Sequence, residues 1–243
     1  MSPRLLSAWL VAVVLTVAGC TELTSSAGND VPVSTIGIGS EANGEVVVSA
    51  DVPPTTSTVI DTVIMIGDSI TVASTPALQE MYEQLGLDEI IIESKQGKRT
   101  AQSFGSNPSG VDIAGFIVNS PDRNDDHSNE LWVVALGTND INQYSDAAER
   151  AAAINEMLKT VPEESPLIWV DTYFEDQSEG ADAINGSIFE RVLDRGNSAI
   201  ARWSSVAADN GNLRNDGVHP RAQGSAVFAD VISATIIDFV QLT

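Results

Sequence analysis

The pattern that most limits what this chain can become is the alternation of short apolar runs with stretches of helical spacing. Residues 63–66 (Val-Ile-Met-Ile) are continuously apolar, the signature of a strand buried on both faces. Strand-length runs follow at 89–92, 131–136 and 167–170. Between and after them, helical periodicity is read over 75–85, 111–118, 147–159, 188–208 and 222–240. In the first of these, Leu78, Met81, Tyr82 and Leu85 share a face and Gly86 is the stop signal. Residues 94–110 read as a loop, and 45–49 as a short additional strand. Strands alternating with helices predict a parallel sheet covered on both faces. A chain of 243 residues, 43% of them hydrophobic, has material for one good-sized core of this kind, and two enzyme domains would be crowded.

Such a sheet has one functional edge, because sites in open parallel sheets lie outside the carboxyl ends of the strands. Polar clusters stand where the apolar runs stop. Gly67-Asp68-Ser69 closes the first run, Gly97 comes after the second, and Gly137-Thr138-Asn139-Asp140 follows the third. Ser69, Gly97 and Asn139 are therefore expected at one edge. A serine hydroxyl is a poor nucleophile at neutral pH and needs a base. Two histidines are available. His127 sits in the polar stretch 122–129 and reads as a solvated loop residue. His219 stands in Asp216-Gly217-Val218-His219-Pro220, before the final helix, with Asp216 three residues ahead of it. A tight turn would bring that carboxylate to the imidazole, where it would orient the ring and stabilise the imidazolium. An oxyanion needs donors already aimed at it. The backbone amides of Ser69 and Gly97 and the side-chain amide of Asn139 are candidates, although a loop glycine and a helix-capping asparagine are the plainer readings of the last two.

Gly67-Asp68-Ser69, Gly97, Gly137-x-Asn139 and Asp216-x-x-His219 occur in this order over residues 59–243 and resemble the four blocks of the SGNH hydrolases, also called G-D-S-L esterases. The resemblance implies an α/β, three-layer, flavodoxin-like fold with a central parallel sheet. It implies an acyl-enzyme mechanism with Ser69 as nucleophile, His219 as base and then acid, and Asp216 as its orienting partner. Ser69, Gly97 and Asn139 would form the oxyanion hole, with no metal and no organic cofactor. Two departures stand out. Ile70 replaces the usual leucine, and Gln96 precedes Gly97 where an asparagine is often found.

The formal net charge of −22, from 34 acidic and 12 basic residues, makes nucleic acid and anionic surfaces poor partners. A solvated acidic surface accounts for it, with adaptation to a salty habitat as the sharper alternative. Residues 1–19 carry Arg4, an apolar stretch over 5–18 too short to span a bilayer comfortably, and Gly19. Val17-Ala18-Gly19-Cys20 resembles the lipobox of bacterial lipoprotein signal peptides, which implies lipidation at Cys20, the single cysteine. Removing residues 1–19 would leave 11 basic against 34 acidic residues, so a lipid anchor and not charge would hold the chain at a membrane. Residues 20–58, rich in Ser, Thr, Gly, Val and Pro, read as a flexible tether that spans on the order of 35 Å.

Three signals are set aside. Asp122-x-Asn124-x-Asp126 matches the start of a calcium loop but has His127 where the turn glycine belongs and Val133 where the closing glutamate belongs. Asp171, after the fourth run, competes with Asp216 as partner of the histidine and reads better as a strand-end residue. Tyr144, Phe174 and Trp203 are pocket candidates for which core packing is the simpler reading. The loop 175–179, with three acids, is expected near the site, where it would disfavour anionic substrates. The expected function is an exported, lipid-anchored hydrolase of a small-molecule or carbohydrate ester. An O-acyltransferase of the cell envelope and a non-catalytic binding lipoprotein are the alternatives.

Overall fold

A computed structural model describes residues 47–48, 59–123, 126–209, 211–240 and 242. The expected signal peptide, Cys20 and most of the expected tether lie outside the described residues. In chain order the elements are β1 (Val47–Val48), β2 (Thr62–Gly67), α1 (Ser69–Gln84), β3 (Glu89–Ser94), α2 (Gly110–Val118) and β4 (Glu130–Ala135). They continue with α3 (Ala147–Thr160), β5 (Leu167–Val170), α4 (Ser178–Arg195), β6 (Ser198–Ala201) and α5 (Ala222–Phe239). The sheet order is β1-β6-β5-β4-β2-β3. Five strands, β2 to β6, are mutually parallel, and β1 adds an antiparallel edge through Val47–Ile200 and Val48–Ala199. The expected α/β three-layer fold with a central parallel sheet is the observed one.

The alternation of side chains along a strand builds the three layers. Val63 and Met65 of β2, Leu131 and Val133 of β4 and Ile168 of β5 join one core with Leu78, Met81 and Tyr82 of α1 and Phe228, Ile232 and Ile236 of α5. Their neighbours Ile64, Ile66, Trp132, Val134 and Trp169 point the other way, into a core with Ile117 of α2, Ile154 and Met157 of α3, and Ile184 and Ile188 of α4. Every residue of β2, β4, β5 and β6 is buried. Trp132, Trp169 and Trp203 are fully buried core residues, and Trp203 meets Phe228 edge-on at 5.3 Å.

Two boundaries differ from expectation for physical reasons. The helix expected from residue 75 begins at Ser69, because Asp68 caps it by accepting from the Ile70 N–H, and Pro76 is carried in its interior. The helix expected over 188–208 is instead the end of α4, a break, and the strand β6. Gly196 (φ 66°) and Asn197 (φ 41°) are both left-handed, which stops the helix and turns the chain into the sheet. Ser198–Ala201 lies fully buried beside β5, although its small residues carry little strand propensity of their own.

The start of α5 is pressed against the segment that carries His219. A Cβ on Gly224 would come to 2.0 Å from the backbone oxygen of Asn212, and that oxygen accepts the N–H of Arg221 at 2.8 Å. Gly224→Ala is expected to cost about 1–3 kcal/mol by overpacking. Chemical denaturation checks this, and an unchanged midpoint would mean that the junction has slack.

Candidate active site

β2 ends at Gly67, where a Cβ would lie 1.9 Å from Thr71 Oγ1, so only glycine lets the strand run this close to the helix it feeds. Asp68 caps α1. Its Oδ1 accepts from the Ile70 N–H at 2.9 Å, which sets Ser69 at the first helical position. The Asp68 side chain is buried, and burial raises its carboxyl to about 6 against the opposing pull of the Ile70 N–H.

His219 arrives from the other end of the chain on a tight hairpin. Leu213 pairs with Pro220, Arg214 N–H donates to the His219 carbonyl at 2.8 Å, and Gly217 N–H donates to the Arg214 carbonyl at 3.1 Å. Gly217 has φ 66° and lies so close to Glu175 that a Cβ would meet that side chain at 2.7 Å. Within the hairpin, Asp216 Oδ1 accepts from the N–H groups of Val218 (3.1 Å) and His219 (2.9 Å). Asp216 Oδ2 lies 3.1 Å from His219 Nδ1, and His219 Nε2 lies 3.0 Å from Ser69 Oγ. The His219 N–H, then the Val218 N–H and the imidazole, hold the Asp216 carboxyl below the usual carboxylate range. Asp216 is therefore ionised at neutral pH and accepts only, which requires the proton on Nδ1. In the neutral ring Nε2 is then the acceptor, and the Ser69 hydroxyl donates to it. The side chains of His219 and Asp216 are 33% and 47% exposed, so the chain of bonds opens to solvent at the sheet edge.

The facing wall comes from the segments after β3 and β4. Gly97 adopts φ 73° in a turn closed by the Lys98 N–H to Lys95 carbonyl bond. Asn107 Nδ2 donates to the Gln96 carbonyl at 2.9 Å, which fixes the Gln96–Gly97 peptide plane and with it the direction of the Gly97 N–H. Asn139 Nδ2 donates to Asp68 Oδ2 at 3.1 Å and to the Lys98 carbonyl at 3.2 Å, so both of its N–H bonds are engaged. Asp140, beside it, is buried and holds Thr100 through its N–H (3.0 Å) and hydroxyl (2.8 Å), and Tyr144 through its hydroxyl (3.0 Å). Burial raises the Asp140 carboxyl, opposed first by the Thr100 hydroxyl. This carboxylate ties the loop after β3 to the turn after β4.

The fold thus brings Ser69, Asp216 and His219 into one hydrogen-bonded chain and sets Asn139 against Lys98, next to Gly97. Other expectations need correction. His127 is not a solvated loop residue. It is buried, with Nδ1 3.0 Å from Glu130 Oε2 and its carbonyl accepting from Ser165 Oγ at 2.8 Å. The segment 175–179 is a short 3-10 turn running into α4, and Glu175 N–H donates to the Gly217 carbonyl at 3.0 Å. Asp171 is the strand-end residue expected: it follows β5 and its carboxylate accepts from Arg202 Nε (3.1 Å) and the Ser204 N–H (2.7 Å). Sequence reasoning did not single out Asp68, Thr100, Asn107 or Asp140 as positioning groups. The signal available for Asp68 was its place as the capping residue before an apolar helix.

No family model matches the chain, and no curated protein does. Solved structures do match. The catalytic domain of the Streptococcus pneumoniae peptidoglycan O-acetyltransferase A is 17% identical, with a TM-score of 0.53 over 76% of this chain and 99% of that one. A carbohydrate acetylesterase family member from Sinorhizobium meliloti is 18% identical, with a TM-score of 0.59 over 74% and 99%. A lipolytic protein of the G-D-S-L family from Veillonella parvula is 12% identical, with a TM-score of 0.56 over 72% and 98%. At these identities the likeness is one of architecture, and it is consistent: the fold of this chain is the SGNH, or G-D-S-L, hydrolase fold.

Proposed function

We propose that this chain is a serine esterase that cleaves a short acyl group from a carbohydrate or small-molecule alcohol. The observation that carries this reading is the continuous chain from Ser69 Oγ through His219 to Asp216, with links of 3.0 and 3.1 Å. Ser69 Oγ attacks the ester carbonyl carbon while its proton passes to His219 Nε2. Asp216 stabilises the imidazolium that forms. The carbon–oxygen bond to the alcohol then breaks, and the alcohol leaves with the proton from Nε2. Water repeats the sequence on the acyl-enzyme and releases the acid. The N–H groups of Ser69 and Gly97 and the amide of Asn139 receive the oxyanion. For Asn139 this requires one N–H to turn from Asp68 or the Lys98 carbonyl toward the substrate. Ser69 also stands at the positive end of α1, which favours the developing negative charge. No step calls for a metal or an organic cofactor.

A second reading uses the same acyl-enzyme and replaces water by a sugar hydroxyl, which makes the chain an O-acyltransferase. The openness of the His219–Asp216 edge favours it, because an acceptor can approach from solvent. The solved O-acetyltransferase domain with the same architecture supports it. Attachment to the cell envelope through a lipidated Cys20 fits either reading.

Treatment of the purified chain with a fluorophosphonate is expected to add one adduct, detected by intact mass and absent in Ser69→Ala. No adduct on folded protein would move the chain to the binding-lipoprotein reading. Product analysis with and without an acceptor glycan then separates hydrolysis from transfer. Asn139→Ala is expected to lower kcat about a hundredfold or more with KM little changed, measured by steady-state kinetics on a reactive ester. Asp68 yields a stability prediction. Its folded-state carboxyl is raised from 3.8 to about 6, so its contribution is full at low pH and is lost as pH rises through about 6. Between pH 4 and 7, wild type should lose about 2–3 kcal/mol of stability relative to Asp68→Asn. Parallel denaturation curves across that window check it.

A further inference from the structure

One groove, linked to the site through Tyr144 and Asp140, has no role in the chemistry above. It lies between the loop after β3 and helix α3, has a volume of about 300 Å³, and is walled by Ala101, Gln102, Tyr144, Glu149, Ala152 and Glu156. Its connection to the site is short. The Tyr144 hydroxyl donates to Asp140 Oδ1 at 3.0 Å, and Asp140 holds the Thr100 N–H and hydroxyl. Thr100 lies two residues after Lys98, whose carbonyl holds Asn139. The groove and the oxyanion wall therefore share a loop.

The lining chemistry is one-sided. Neither lysine nor arginine lines the groove, and the nearby Arg99 guanidinium is placed over the Phe104 ring at 4.9 Å. Glu149 keeps one carboxylate oxygen for Ser145, whose N–H and hydroxyl donate to Oε2 at 2.8 and 3.0 Å, which leaves Oε1 for another donor. Among the described residues no donor meets the Glu156 carboxylate or the Gln102 amide oxygen. The wall thus offers acceptors, one aromatic ring and a floor of alanine. A ligand that complements it is rich in O–H or N–H donors, has an apolar face for the ring, and carries no negative charge. A sugar ring meets all three conditions.

We infer that this groove is a subsite for a neutral or amino-bearing sugar unit of the substrate or acceptor glycan, and that it rejects anionic sugars. The inference rests on the esterase or acyltransferase reading and deepens it by naming the alcohol. Ala152 is exposed on α3, so Ala152→Leu fills the groove without touching the core or the Ser69 chain.

The test titrates the full chain carrying Ser69→Ala with N-acetylated chito-oligosaccharide (neutral), its de-N-acetylated form (cationic) and oligogalacturonate (anionic), followed by amide NMR shifts. The expected result is saturable binding of the neutral or cationic ligand that shifts residues 101–102, 144 and 152. Ala152→Leu should weaken it at least tenfold, and oligogalacturonate should bind at least tenfold more weakly. Binding of neither ligand, binding indifferent to Ala152→Leu, or equal affinity for oligogalacturonate would overturn the subsite. In the background with Ser69 intact, Ala152→Leu should keep wild-type fluorophosphonate labelling and turnover of p-nitrophenyl acetate. Absence of sugar binding in the chain that keeps Ala152, with wild-type labelling present, defeats the subsite alone, whereas absence of labelling in wild type defeats the esterase reading.

Discussion

The arrangement of the site depends on the register of three parallel strands. Gly67 at the end of β2 pairs with Ser94 at the end of β3 and with Ala135 at the end of β4. Because the strands are parallel and in step, their carboxyl ends stop at one level, and the segments that follow must emerge side by side. Ser69, Gly97 and Asn139 follow these three ends after two to four residues, too short a distance for them to separate. A shift of one residue in any pairing would exchange the side chains that β2 and β4 send into the two cores, so core packing enforces the same register that brings these segments together.

Onto this edge the chain adds buried carboxylates that act as braces. Asp68 ties the start of α1 to Asn139, and Asp140 ties the loop after β3 to the turn after β4. Neither forms an ion pair among the described residues; Arg99 acts on Asp140 only at longer range. Their charges are met by N–H and O–H donors, which leaves burial as the largest influence on both and pushes both carboxyls upward. Asp216 is the opposite case. It is half exposed, and two backbone N–H groups and the imidazole hold it ionised. One site therefore contains a carboxylate kept ready to orient a histidine and others kept in place by their neighbours' hydrogen bonds.

The elements that were legible early share a property: their signal is local. The continuous apolar run before Gly67, the periodic stretch that became α3 and the Asp216-x-x-His219 spacing each involve residues within one element. The illegible ones had signals that depend on remote packing. Ser198–Ala201 reads as strand only once β5 stands beside it, and Gly196-Asn197 marks a break only when its left-handed geometry is known. His127 looked solvated because its neighbours in sequence are polar, yet Glu130 and Ser165 enclose it.

The sequence by itself determined the fold class and the sheet edge at which Ser69, Gly97 and Asn139 emerge, because strand periodicity and the ends of apolar runs are properties of adjacent residues. Only the tertiary structure decided that His219 reaches Ser69 across 150 residues of chain, that Asn107 and Asp140 steer the loop carrying Gly97, and that Asn139 is already bonded on both N–H groups. These are contacts between segments far apart in the chain, set by how the two cores pack on the sheet, and no local pattern encodes the distance between them.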